Sequence, residues 1–411
     1  MELFFADIGS NTTISWKELL KDLNRSTTYN PYCYHSDFYE IFKHIILSLL
    51  LEEELILLDS DFSDEEVDKL TGCSNFSSFT KIIDPRKLPV ISLKNELISK
   101  IKNTGPQWNI TLFTSGTTGL PKKVKHTFQS LNRFVKITEK NTDDVWGFAY
   151  NPTHIAGIQV FFQALLNGNS IIRLFGLSPD LVFNSIEQYG ITHISATPTF
   201  YRLLYPINKI FPNVVRITVG GEKFDEKTID KLKPAFPNSK ITNVYASTEA
   251  GTLFAAKGDV FTVKAEMEEF VKIENNQLFI HKYMMGLTEN KINGWYNTGD
   301  IVEIVSENPL QFRFVSRKNE MINVGGYKVN PNEVEEAIRT INGISDVRVF
   351  AKSNSVLGNI ICCEIVKFDE NLDEAKIRSF LQTQLQEYKI PRFIKFVNEL
   401  STTRTGKIKR N

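Results

Sequence analysis

Apolar positions along this chain follow two rhythms in turn. Stretches with helical spacing, SDFYEIFKHIILSLL (36–50), SPDLVFNSIEQYG (178–190) and DEKTIDKLKPAF (225–236), stand between short β-rich runs, ELILLDS, WNITLFTS, NSIIRLFG, ITHISATP and VVRITVGG. Short strands alternating with helices predict an α/β fold with mainly parallel sheets. From about Val260 the pattern becomes strand after strand with polar turns, which predicts an antiparallel β region. Beyond Arg317 a small α+β pattern follows: NPNEVEEAIRTI and DEAKIRSFLQTQL as helices, VRVFAKS and NIICCEIVKF as strands. The expected division is a large domain over 1–316 and a small C-terminal one over 317–411.

The most apolar run, Ile45 to Leu58, is split by Glu52, Glu53 and Glu54. A spanning helix needs ~20 mostly apolar residues, so this run predicts a buried helix leading into a strand and no membrane span. The N-terminal segment MELFFADIGSNTTISWKELL lacks the basic start and small-residue cleavage site of a signal peptide.

Composition narrows the function classes. The chain has 411 residues, 42% hydrophobic and 23% charged, which suffices for a sizeable core. Its 48 Lys+Arg balance 48 Asp+Glu, which removes the electrostatic footprint of a nucleic-acid binder. Cys33, Cys73, Cys362 and Cys363 form no C-x-x-C pair, so neither a zinc site nor a disulfide framework is indicated, and a reduced, cytoplasmic setting is expected.

The chemistry concentrates first at Thr111-Leu-Phe-Thr-Ser-Gly-Thr-Thr-Gly-Leu-Pro-Lys122. It follows an apolar strand and precedes a segment read as helix-like. Thr114, Ser115, Gly116, Thr117, Thr118 and Gly119 offer approachable backbone N–H groups and hydroxyls, and Lys122 closes the run with a positive charge. That is the make-up of a polyphosphate cradle. It is not a Walker A loop, because Pro121 stands where that motif has its second glycine.

This string resembles the phosphate-loop signature of the adenylate-forming superfamily, which holds acyl-CoA synthetases, adenylation domains of peptide synthetases and luciferases. Further segments match in the family's order. Asn243-Val-Tyr-Ala-Ser-Thr-Glu249 is similar to the Y-G-x-T-E segment, which implies Tyr245 against the adenine, Thr248 at the α-phosphate and Glu249 on Mg²⁺. Val219-Gly-Gly-Glu222 resembles the turn on which the adenine rests, implying Gly220, Gly221 and Glu222. Gly294-Trp-Tyr-Asn-Thr-Gly-Asp300 matches G-W-x-x-T-G-D, whose aspartate, here Asp300, accepts both ribose hydroxyls. The sequence from Phe312 to Ile338 resembles the crossover between the two domains. It implies Arg317 at ribose or phosphate, Asn319 as hinge, and Gly325 and Gly326 along a pantetheine passage. Leu400 to Arg410 resembles the T-x-T-G-K segment, which places Lys407 between the acid's carboxylate and the α-phosphate. Asn151-Pro-Thr-His-Ile-Ala-Gly157 is similar to the segment beside the forming acyl group, although His154 could equally be a satisfied structural histidine.

The resemblance implies an AMP-forming acid–thiol ligase: a carboxylic acid and ATP-Mg²⁺ give an acyl-adenylate and pyrophosphate, and a thiol then takes the acyl group. Coenzyme A is the expected acceptor. The phosphopantetheine of a carrier protein is the alternative, and a non-catalytic nucleotide-binding relative a third. Lys407 must leave before the thiol arrives, so the small domain is expected to rotate. Residues 151–158 contain no acid to pair with an α-ammonium, which favours a fatty, aryl or other simple acid over an amino acid. Departures from the family pattern are Lys123, Ala246 and Ser401 at positions usually Gly, Gly and Pro, and Asn319 at a hinge commonly Asp or Lys. The stretch before the phosphate loop is also shorter than in the longer members, so the first subdomain is expected to be pared down.

Overall fold

The computed structural model describes residues 2–73, 75–114, 121–223, 226–288, 294–324, 327–354, 358–403 and 407–409. Of the expected site residues, Ser115, Gly116, Thr117, Thr118, Gly119, Gly325 and Gly326 lie outside them.

Two sheets face each other across a layer of helices. In the first, the strands Leu3–Asp7, Ser170–Arg173, Val145–Phe148, His193–Ala196, Arg216–Gly220 and Lys240–Ser247 run parallel, with antiparallel strands at both edges. The second carries Tyr32–Tyr34, Leu55–Leu58 and Asn109–Thr114 in parallel, then Lys122–Thr127 antiparallel. Between them lie the helices Phe38–Leu51, Lys94–Lys102 and Ile155–Asn167, whose apolar side chains share one core with both sheets. Phe42 and Phe161 stack there at 4.6 Å between centroids. A helix packed on two sides must be apolar nearly all round, which explains the Phe38–Leu51 composition. Glu52 ends that helix at φ 53°, and its carboxylate then accepts from Gly105 N at 2.9 Å and Gln107 Nε2 at 2.6 Å. The glutamate that breaks the apolar run thus terminates the helix and anchors the loop before the strand Asn109–Thr114.

A second core lies under the helices Pro179–Tyr189 and Pro198–Leu203 on the far face of the first sheet. A five-stranded antiparallel sheet follows, built on Trp295–Glu307 and Leu310–Arg317. The last unit has its own core, with the helices Pro331–Arg339 and Glu374–Gln384 against the strands Ile344–Asn354, Gly358–Lys367 and Phe393–Phe396. The expected class, a large α/β domain with an antiparallel region and a small α+β domain after it, is the architecture found. No helix among the described residues is long and apolar enough to cross a membrane.

One local expectation fails. The segment after the candidate phosphate loop is a strand, not a helix: Lys122–Thr127 pairs antiparallel with Asn109–Thr114, setting Thr114 opposite Lys122. The reason is its period of two. Val124 and His126 are each 1% exposed while their neighbours face outward, and such alternation suits a half-buried strand.

Candidate active site

Most of the expected residues that are described converge where the C-terminal ends of the first sheet meet the antiparallel sheet and the chain's last hairpin. The buried Asp300 is its electrostatic centre, 1% exposed. It faces Arg317 across paired strands, and Arg317 Nε donates to Asp300 Oδ1 at 2.8 Å. Tyr245 donates its hydroxyl to Asp300 Oδ2. Burial and then the neighbouring Asp300 charge keep the Tyr245 phenol well above its ordinary pKa, so it stays protonated and donates to Asp300. Burial alone would lower the Arg317 pKa, but the Asp300 carboxylate, with Glu320 behind it, outweighs it and the guanidinium stays charged. The pair orients the carboxylate for acceptance from a diol.

Thr248 and Glu249 form the turn after the strand Lys240–Ser247. Two residues that the sequence reading did not single out brace it. His126, on the strand after the phosphate loop, bonds the Thr248 carbonyl through Nε2 at 2.8 Å. A carbonyl only accepts, so Nε2 carries the proton, and burial keeps this imidazole neutral by lowering its pKa. Tyr296 donates to Glu249 Oε1 at 3.3 Å. Gly286 N donates to the Glu249 carbonyl, and a Cβ on Gly286 would stand 2.7 Å from His126 Cε1. Among the described residues no group of three or more His, Cys, Asp or Glu gathers to hold a metal. A single carboxylate at Glu249 fits Mg²⁺, which keeps waters and takes substrate phosphates as ligands.

Gly221 turns at φ 86°, and Lys407 lies across it: a Cβ there would come 3.4 Å from Lys407 Cε and 3.8 Å from Nζ. Burial lowers the Lys407 pKa, and the Arg317 cation adds to this, while Glu222, Glu320 and Asp300 oppose it. The lysine thus shares its field with the whole cluster. Glu222 is engaged with the protein. Its carboxylate accepts from Thr199 N at 3.0 Å, from Thr199 Oγ1, and from Ile408 N at 3.2 Å. Asn319 sits in the single 3₁₀ turn Lys318–Glu320 that follows Arg317.

His154 occupies the N-cap of Ile155–Asn167 without capping it through its side chain. Its Nε2 is 3.2 Å from Asp59 Oδ2, which also accepts from Asn151 Nδ2 at 3.0 Å. Asp59 was legible only as a carboxylate ending an apolar strand at the carboxyl edge of a sheet, a position where α/β folds place ligands. A cavity of about 490 Å³ opens beside this pair, lined also by His35, Arg173 and, from the Lys407 hairpin, Thr402 and Thr403.

The family model for AMP-binding enzymes matches residues 57–271, and that for the AMP-binding enzyme C-terminal domain matches 333–407. The chain belongs to the AMP-binding enzyme family. Among curated relatives, a 2-succinylbenzoate–CoA ligase of Listeria monocytogenes is 28% identical over 329 residues, covering 73% of this chain and 68% of that protein. Ligases of the same name from Staphylococcus aureus are 27% identical, with 65% of their length covered, so the match spans about two thirds of these relatives. Among solved structures, Bacillus subtilis o-succinylbenzoate CoA synthetase with its acyl-adenylate gives a TM-score of 0.70 at 18% identity, covering 99% of this chain and 94% of that one. ATP-bound MatB from Rhodopseudomonas palustris gives 0.73 at 17%, with the same coverages.

Proposed function

We propose that this family member is an AMP-forming acid–CoA ligase acting on an aryl or aliphatic carboxylic acid. The observation that carries the reading is the placement of Lys407 across the Gly221 turn, in the field of Asp300 and Arg317. In the first half-reaction a carboxylate oxygen attacks the α-phosphorus of ATP and pyrophosphate leaves. The protein's share is position and charge. Asp300, held by Tyr245 and Arg317, accepts the ribose hydroxyls. Thr248, held by His126, donates to the α-phosphate, and Lys122 with residues 114–119 holds the outer phosphates. Lys407 spans the entering carboxylate and the α-phosphoryl oxygens. Glu249 would hold Mg²⁺, which would neutralise phosphate charge. In the second half-reaction the thiol of CoA attacks the acyl carbonyl, AMP leaves, and the thiol proton passes to solvent. The small domain, from residue 317, turns at Asn319 between the two steps, and Gly325 and Gly326 then line the pantetheine.

The acid's body lies beside His154. Asp59, a carboxylate beside it, is engaged by Asn151 and His154, and residues 151–158 carry no acid, which supports a non-amino acid. The relatives' substrate, 2-succinylbenzoate, sets the first compounds to try. The test is pyrophosphate release from ATP-Mg²⁺ with hydroxylamine trapping across aryl, succinylaryl, malonyl, fatty and amino acids, followed by CoA or a phosphopantetheinylated carrier protein as acceptor. Release with a non-amino acid and transfer to CoA is the expected result. ATP binding without release for any acid contradicts the enzyme reading, and transfer only to the carrier protein contradicts the acceptor.

A further inference from the structure

A buried chain of charges joins the small domain to the catalytic turn. At its centre is Arg202, on the helix Pro198–Leu203 of the large domain and 7% exposed. Its Nε donates to Asp346 Oδ2 of the small domain at 2.9 Å, and its Nη2 donates to Thr199 Oγ1 at 2.8 Å and lies 3.6 Å from Glu222 Oε2. Behind Asp346 the small domain continues the chain. Arg339 Nε donates to Asp346 Oδ1 at 3.2 Å, and Arg339 Nη2 donates to Glu335 Oε2 at 3.4 Å. Asp346 and Glu335 are 4% and 2% exposed. Burial alone would raise the Asp346 carboxyl, but Arg202 and Arg339 outweigh it and hold it low. In the other direction, Glu222 accepts from Ile408 N, the residue after Lys407. At the rim of the same interface Lys223 Nζ pairs with Glu336 Oε1 at 2.8 Å.

We propose that Arg202 is a positioning residue that latches the small domain in the pose with Lys407 in the site, and that Glu222 registers the Lys407 hairpin to that latch. This rests on the two half-reactions proposed above. A buried ion pair repays its desolvation only while every partner is present, and removing one partner leaves an uncompensated charge. When the small domain turns away, Arg202 and Asp346 regain water, so the intact pair breaks at modest net cost. Truncating Arg202, or the Asp346 oxygen it grips, therefore penalises the closed pose most and shifts the equilibrium towards the open one.

The test separates the two half-reactions and adds a readout that needs no substrate. In Arg202→Met and in Asp346→Asn, acyl-adenylate formation is expected to fall about tenfold or more, while CoA transfer from preformed acyl-adenylate stays within about twofold. Arg202→Lys, which keeps the charge, is expected to recover most of the loss. The double variant is expected to lose less than the product of the two single losses, since the residues are coupled. Separately, Lys223→Cys with Glu336→Cys, in a chain carrying Cys73→Ser, is treated with a short bis-maleimide. The remaining native cysteines are buried. Cross-linking is expected to be several-fold slower when Arg202→Met is added. Unchanged cross-linking, or equal loss in both half-reactions, overturns the latch. If the intact chain adenylates no acid, the functional reading fails, and the cross-linking rate still decides the latch.

Discussion

The behaviour of Lys407 follows from its burial among charges. Burial and Arg317 lower its pKa from the ordinary ~10.4 of a lysine. The charged form is the useful one, so activity is lost as pH rises through the lowered value. The kcat/KM profile reports the free enzyme and kcat the substrate complex. ATP and the acid bring anions to the ammonium and raise its pKa. The alkaline limb of kcat/KM is therefore expected below the ordinary lysine range, with that of kcat at higher pH. Coincident limbs, or a limb retained in Lys407→Arg, would count against this assignment. At this scale the sequence was generous with residues inside short motifs, because Asp300, Thr248, Glu249 and Lys407 each sit in a local string whose chemistry can be read directly. It was silent about their supports. His126, Asp59 and Arg202 act on partners far along the chain, and no local pattern announces such a pairing.

At the scale of elements, the helix Ile155–Asn167 shows how closely the scaffold is fitted. A Cβ at Gly157 would lie 2.3 Å from the Asn151 carbonyl oxygen and 3.1 Å from Phe148 Cζ. The backbone atom cannot rotate aside, so Gly157→Ala is expected to lower stability by about 1–3 kcal/mol, and to shift the loop bearing Asn151 and His154. Gly258, with nothing within 4 Å of its built Cβ, is the control: Gly258→Ala is expected to lie within about 0.5 kcal/mol of the parent in the same denaturant titration. Equal effects at the two sites would refute the packing argument. Most elements were legible from periodicity, including the switch to antiparallel strands near Val260. The strand Lys122–Thr127 was not. Its charged residues hide the alternation of Val124 and His126, and glycine-rich phosphate loops more often lead into helices.

At the scale of the whole molecule, one network of charges is shared between two domains. The large domain supplies Asp300, Thr248 and Glu249, and the small one brings Lys407 and is gripped through Asp346. The order of segments in the sequence foretold both domains, but the contacts between them are products of folding alone. If the small domain serves only the first half-reaction through Lys407, the two chemical steps can be separated by one side chain. The most direct test is Lys407→Ala assayed both ways, once the acid is known. Formation of acyl-adenylate from acid and ATP is expected to fall at least about 100-fold, the scale of losing a group aimed at transition-state charge. Thioester formation from preformed acyl-adenylate and CoA is expected to stay within about threefold of the parent. Equal loss of both steps would contradict the account, because Lys407 would then be needed in a pose that the thiol step must abandon.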